Sequence, residues 1–281
     1  PEIRPPRPYP WNRWLHRRAT DRILFSGGFM LAAHYEPWGL AARRTAVVHG
    51  AVDTEALAPD RWQAPAAALR RRLGIGVRTP CVGVVGRLSP VKGHAFILGT
   101  LAPLMQQRTE LQVVVAGAEA QLRWADLAAR VPPDLLPRVR YLGPVPDAPA
   151  VMAACDLLLV PSLGSEAVCR VAMEALALEV PVAGSAVHVI PEVIRDGATG
   201  WIVPAGDEDG WRDTIRRILD DPAEARRRAV RGGEDARARF SYASVGEALE
   251  ELLRQGLAGA DWPGREAPPA SAGREPMRIT T

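Results

Sequence analysis

Cys81-Val82-Gly83-Val84-Val85-Gly86-Arg87-Leu88-Ser89-Pro90-Val91-Lys92-Gly93 is the stretch on which the fold turns. Its first five residues are small or apolar at every position and rich in valine, the pattern of a short strand buried on both faces. Gly86 ends the run, and helical spacing follows over 93–107. The same phrase recurs down the chain. Apolar runs at 111–116, 139–142, 157–160 and 180–183 alternate with helical spacing at 120–130, 147–154, 166–178 and 189–195. Such alternation predicts an α/β fold, a Rossmann-like parallel sheet with helices on both faces. Crossovers are then right-handed, and a ligand belongs beyond the carboxyl ends of the strands.

On the N-terminal side, 11–19 reads as a short helix, 21–26 as a strand and 27–36 as helical. An apolar run at 45–48 ends at His49-Gly50, and the helix 64–73 is stopped by Gly74 and Gly76. On the C-terminal side, a turn at 196–200 leads to a strand at 201–204 and charged helices from 208 to about 255. Residues 258–281, rich in Pro, Gly, Ala and Arg, are expected to be disordered.

The 281 residues are 47% hydrophobic and 24% charged, which excludes wholesale disorder. No apolar run is long enough to span a bilayer, and the Arg- and Pro-rich start does not read as a secretory signal. Cys81, Cys155 and Cys169 lie far apart in apolar surroundings. They read as buried free thiols in a reducing, cytoplasmic setting, not as disulfides or a zinc site. A net charge of +3 makes no case for nucleic acid.

Lys92 is the sole lysine in a chain that otherwise uses arginine. With Arg87 it puts two cations on one loop that opens a helix, an arrangement able to hold a diphosphate, one as a planar fork and one as a point charge. A solvated surface pair is the plainer alternative. In the run from Val160 to Leu178, Glu166 and Glu174 are spaced to share one helical face, where carboxylates accept hydrogen bonds from sugar and ribose hydroxyls. The alternative is a capping carboxylate and an amphipathic polar position. His94 and His188 read as ordinary polar histidines, whereas His49 ends a strand facing the expected cleft. Arg4–Arg18, with Tyr9, Trp11 and Trp14 among arginines, either touches an anionic membrane surface or packs its tryptophans inward.

Taken in order, these segments resemble the family 4 retaining glycosyltransferases of GT-B architecture. The resemblance rests on Gly86-Arg87 with Lys92-Gly93, Val115-Ala116-Gly117, Tyr141-Leu142-Gly143, Asp156 through Pro161-Ser162, Glu166-x7-Glu174-Ala175, Pro181-Val182, and Glu192-Val193 followed by Asp196-Gly197-x-x-Gly200. Asp21-Arg22-Ile23 and Val47 through Asp53 resemble the end of the acceptor-binding half, so the likeness covers about 20–255.

The resemblance implies a division into 1–58, a remnant of the acceptor-binding half; 59–79, a connector; 80–220, the nucleotide-sugar-binding domain; 221–257, C-terminal helices; and the tail 258–281. It implies that Arg87 and Lys92 contact the diphosphate, and that Glu166 orients the donor sugar beside the N–H groups of Val168 and Cys169. Arg170 and Val171 would offer N–H groups to the phosphates, Glu174 would hold the ribose, and Val145 would lie near the base. Arg87, Lys92 and Glu166 would be the catalytic groups. No metal or other cofactor is implied, since the two cations take the metal's part.

The expected partners are a nucleotide sugar and a glycan or lipid-linked acceptor, with peripheral contact at the inner membrane and no nucleic acid. The expected role is lipopolysaccharide or exopolysaccharide assembly. Three departures from the family pattern stand out: Glu179 where a glycine commonly precedes the Pro-Val strand, Ala118-Glu119-Ala120 after Gly117, and the glycine-free Ala167-Val168-Cys169 after Glu166. A second reading, a non-catalytic nucleotide-sugar-binding fragment, shares the same site. A third, a dinucleotide-dependent oxidoreductase, lacks its fingerprint, because Gly83, Gly86 and Gly93 do not have GxGxxG spacing.

Overall fold

A computed structural model describes residues 9–35, 38–39, 44–164 and 166–259. The N-terminal part holds α1 (Pro10–Arg18), β1 (Ile23–Phe25), α2 (Gly28–Met30) continued by a wide helical turn over Leu31–Tyr35, β2 (Thr45–Val47) and α3 (Pro59–Arg72). Then come β3 (Cys81–Val85), α4 (His94–Gln107), β4 (Gln112–Ala116), α5 (Trp124–Ala128), β5 (Val139–Tyr141), α6 (Ala148–Ala153) and β6 (Leu157–Val160). The chain closes with α7 (Arg170–Ala177), β7 (Val182–Ser185), α8 (Ile190–Val193), β8 (Trp201–Val203), α9 (Glu208–Asp220), α10 (Pro222–Phe240) and α11 (Tyr242–Leu257).

β3 to β8 form one parallel sheet in the order β5-β4-β3-β6-β7-β8. The chain winds outward from β3 in one direction, then returns to β6 and winds outward in the other. That reversal is a topological switch point at the carboxyl ends of β3 and β6, the place where the ligand crevice of open α/β sheets lies. On one face, Val82 and Val84 pack with Ile97, Leu101, Trp211 and Ile215 from α4 and α9. On the other, Leu158, Val160 and Val182 pack with Met173, Leu176 and Phe240 from α7 and the end of α10. α3 lies on α6, and Ala66 and Leu69 join Cys81, Val114 and Cys155 in a third cluster. Gly83 is part of this packing, because a Cβ there would lie 2.5 Å from Cys155 Sγ.

β1 and β2 form a separate two-stranded parallel sheet. The C-terminal segment returns to it: Val52 N–H donates to Phe240 O (2.8 Å), and Leu252 of α11 packs with Ala46.

Several elements differ from the sequence reading. The helix expected at 64–73 starts already at Pro59, whose fixed φ suits a first helical position, and the one expected over 120–130 is confined to Trp124–Ala128. The strand expected at 180–183 runs Val182–Ser185, because Pro181 lacks the N–H a ladder needs and Ser185, though polar, is wholly buried and paired with Val203. The helix expected over 166–178 starts only at Arg170, because Cys169 sits in the left-handed region at φ +54°. The helix expected near 27–36 is one turn followed by the wider turn, its end lying outside the described residues. Of the expected tail 258–281, Ala258 and Gly259 close α11 in a turn, and the rest lies outside the described residues.

Candidate functional site

The loops leaving β3 and β6 meet face to face. Gly93, at φ +71°, lies so close to the other loop that a Cβ would fall 1.9 Å from the Pro161 carbonyl oxygen. No other residue fits there without moving backbone. Leu163 N–H donates to Val91 O (2.8 Å) and ties the loops together.

This approach brings Lys92 and Glu166 into contact, Nζ to Oε1 at 2.5 Å. Ser162 Oγ–H donates to the same oxygen, also at 2.5 Å. Glu166 is 3% exposed, so its charge is buried and depends on these two partners. Among the described residues its Oε2 takes no hydrogen bond. The Glu166 side chain reaches the crevice from a loop, not from the face of a helix, so helical spacing with Glu174 is not what places it.

Glu174, on α7, accepts from Arg170 Nη2 (3.1 Å). Burial pushes its carboxyl above the usual carboxylate range, and the Arg170 charge offsets that only in part. Arg170 and Val171 form the first turn of α7. Arg87 is exposed on the loop after β3 and makes no ion pair among the described residues. Val145 is half-buried on the loop after β5, packed against the α3–α6 cluster. No hydrogen bond or ion pair joins Arg87, Val145 or Glu174 to the Lys92–Glu166 pair among the described residues. Val168 lies against Gly50 of the N-terminal segment. The Cys169 thiol is pushed up to about 12, by burial first and then by the Glu166 charge, so it is not a nucleophile at neutral pH.

Several participants were not assigned from sequence. In the sequence Ser162 stands out only as part of the Pro161-Ser162 motif. His188, read as an ordinary polar residue, stands at φ +48°; its Nδ1 accepts from Glu166 N–H (3.2 Å) and its ring stacks on Phe29. Glu192 accepts from the N–H groups of Gly28 (2.8 Å) and Phe29 (2.9 Å) and meets His49 Nε2 at 3.0 Å, which ties His49 to α8. The partners of Glu192, and the Phe29 ring stacked on His188, lie more than a hundred residues away in the chain, so no local pattern announces them. His94, also read as ordinary and polar, is 1% exposed, and burial holds its ring down at about 4, neutral. Trp11 and Trp14 do not pack inward: α1 buries none of its residues and exposes both at more than 60%.

Among the described residues no cluster of three or more His, Cys, Asp or Glu is arranged to hold a metal ion. None of their helices is long and apolar enough to cross a membrane.

A family model described as glycosyl transferases group 1 matches residues 79–221, just over half of the chain. D-inositol 3-phosphate glycosyltransferase of Corynebacterium glutamicum is 33% identical over 225 residues, which are 76% of this chain and 52% of that protein. The same-named protein of Mycolicibacterium paratuberculosis is 34% identical over 220 residues, 76% of this chain and 48% of it. The chain thus spans about half the length of the curated relatives it matches. Among solved structures, sucrose-phosphate synthase of Thermosynechococcus elongatus aligns with a TM-score of 0.72 at 25% identity, over 89% of this chain and 61% of that one. Anabaena HepE in complex with UDP aligns with a TM-score of 0.76 at 24% identity, over 84% of this chain and 64% of that one, a likeness of fold. The parallel sheet, its crevice and the matched stretch agree: this chain belongs to the group 1 glycosyl transferases, with a GT-B-like α/β fold.

Proposed function

We propose that this chain binds a nucleotide-diphosphate sugar in the β3–β6 crevice and serves a retaining, hexosyl-type transfer to a hydroxyl acceptor. The observation that carries this reading is the contact of half-buried Lys92 with the buried Glu166–Ser162 pair at the topological switch point of the sheet. The Lys92 ammonium has three donors and gives one to Glu166, leaving two for the diphosphate. Arg87 adds a fork from the rim of the same loop. Both cations stabilise the negative charge that develops as the nucleotide diphosphate departs, the work a metal ion does elsewhere.

Glu166 Oε2 accepts from the donor sugar's hydroxyls, flanked by the N–H groups of Val168 and Cys169. The N–H groups of Arg170 and Val171 face the phosphates. Glu174, turning from Arg170, accepts from the ribose, and Val145 lies beside the base. The nucleotide-sugar unit is residues 80–220, with 59–79 as connector and 221–257 as packed helices.

The curated relatives are named for D-inositol 3-phosphate, which favours a polyol or lipid-linked polyol acceptor over the lipopolysaccharide or exopolysaccharide expected from sequence. The exposed tryptophans of α1, set among Arg13, Arg17 and Arg18, favour peripheral contact with an anionic cytoplasmic membrane face. Because the chain spans half of its relatives, binding without transfer by this chain alone is the second reading.

Calorimetry with UDP, GDP and their glucose-bearing forms tests the assignment. Glu174→Gln is expected to weaken both the bare and the sugar-bearing nucleotide about tenfold, the scale of one charge-assisted hydrogen bond. Glu166→Gln is expected to weaken only the sugar-bearing form, and a chelator to change neither. Equal losses for Glu166→Gln on both ligands, or binding of NAD in their place, would overturn the reading.

A further inference from the structure

We propose that His188 is a positioning residue, an imidazole that fixes the peptide carrying Glu166 and so sets where its carboxylate points. The inference rests on the reading of Glu166 as the group that meets the donor sugar.

The β7–α8 turn grips Glu166 by both ends of its backbone. His188 Nδ1 accepts the Glu166 N–H at 3.2 Å, and the N–H of the next residue, Val189, donates to Glu166 O at 3.4 Å. An imidazole whose Nδ1 accepts carries its proton on Nε2, so the bond selects one tautomer of the neutral ring. The ring plane is set independently: it lies 9° from parallel to Phe29, with centroids 4.8 Å apart. Phe29 is itself anchored through its N–H to Glu192. One residue further along the same loop, Ala167 O accepts from Ser26 Oγ–H at 3.0 Å. The loop bearing Glu166 is therefore held both by the turn after β7 and by the N-terminal segment across the crevice.

The backbone sharpens the case. His188 occupies the left-handed region at φ +48°, where glycine is the default and a β-carbon carries a penalty. Histidine, asparagine and aspartate are the side chains that visit this region most readily. If position 188 mattered only for its backbone, glycine would serve better. The imidazole has partners that glycine lacks, and one of them is the peptide of the buried carboxylate.

This gives a test in which stability and function move in opposite directions. Four proteins are compared: the wild type, His188→Gly, His188→Asn and Glu166→Gln. Each is measured for melting temperature, for affinity toward UDP, GDP and their glucose-bearing forms, and for hydrogen exchange of the backbone amide of Glu166. His188→Gly should keep or raise the melting temperature by relieving the left-handed strain. It should leave affinity for the bare nucleotide unchanged, reduce the preference for the sugar-bearing form several-fold, and speed Glu166 amide exchange. His188→Asn tolerates the same backbone and offers Oδ1 near the place of Nδ1, so it should restore most of both effects.

If His188→Gly changes neither the sugar preference nor the exchange, the proposal is wrong. If exchange rises but the preference holds while Glu166→Gln does lower it, His188 is structural only and the proposal again fails. If Glu166→Gln itself leaves the preference unchanged, or no nucleotide binds, the site reading fails first. The exchange data then still decide whether His188 holds the peptide.

Discussion

Glu166, on the loop after β6, gives one oxygen to Lys92 Nζ and Ser162 Oγ, two groups at the ends of rotatable side chains. Glu192, in α8, gives its oxygens to the N–H groups of Gly28 and Phe29 and to the His49 ring. Backbone donors cannot turn away, so Glu192 is a fixed clamp between the N-terminal segment and the sheet. The donors on Glu166 can be shared with, or ceded to, a ligand. A carboxylate is thus held rigidly where two parts of the chain must stay together, and adjustably where chemistry is expected.

The comparison predicts its largest effect at Lys92. Removing the cation leaves the Glu166 carboxylate buried with one hydroxyl partner, and an unpaired buried charge costs roughly 3 kcal/mol or more. Lys92→Met should lose that much in denaturant unfolding at neutral pH, and Lys92→Met with Glu166→Gln should regain most of it, because the charge is gone as well. If the single variant is as stable as the parent, the pair is not the buried interaction described.

Glu192 should show a smaller loss with a pH signature. Burial pushes its carboxyl up, but the His49 ring and the two backbone N–H groups outweigh that and hold it below the usual 4.5. A carboxyl depressed in the folded state stabilises above its unfolded value, and the stabilisation is lost as pH falls through the folded value. Unfolding free energy should therefore drop steeply below about pH 4.5, through protonation of this group among others. Glu192→Gln can accept through one oxygen only. It should lose about 2 kcal/mol at neutral pH and show a shallower acid decline. An acid slope identical to the wild type would show that the clamp does not depend on the charge.

How much of this was readable beforehand follows from the same physics. β3 and β6 fall on the residues that sequence assigned them, because a short run that is apolar at every position has few ways to hide except between two helical layers. Lys92 and Glu166 were legible as types, a lone lysine after Gly86 and a carboxylate after Pro161-Ser162. Their contact was not legible, because 74 residues separate them. The start of α7 was misread since composition does not reveal that Cys169 takes a left-handed backbone. His188 and Glu192 were invisible as partners for the same reason as the Lys92–Glu166 contact: tertiary closure, not periodicity, chooses them.

Glu179 extends the comparison to a third glutamate, held mostly from outside. It stands where glycine commonly precedes the Pro-Val strand, at φ +53°, a conformation that costs a side chain roughly 1 kcal/mol. Its carboxylate reaches Arg226 Nη2 at 2.8 Å and Arg237 Nη2 at 3.5 Å, and its stem lies over Gly233. Both arginines are about half exposed, so screening limits the two pairs together to about 1 kcal/mol. Glu179→Gly relieves the strain but loses the pairs and adds freedom to the unfolded chain, leaving stability within about 1 kcal/mol of the wild type. Glu179→Ala loses the pairs and keeps the strain. Glycine should therefore be the more stable of the two by about 0.5 kcal/mol at most, the reverse of their usual order within a helix. Equilibrium unfolding of both variants reads this directly. Alanine clearly above glycine would mean that the left-handed backbone at 179 carries less strain than the freedom glycine adds to the unfolded chain.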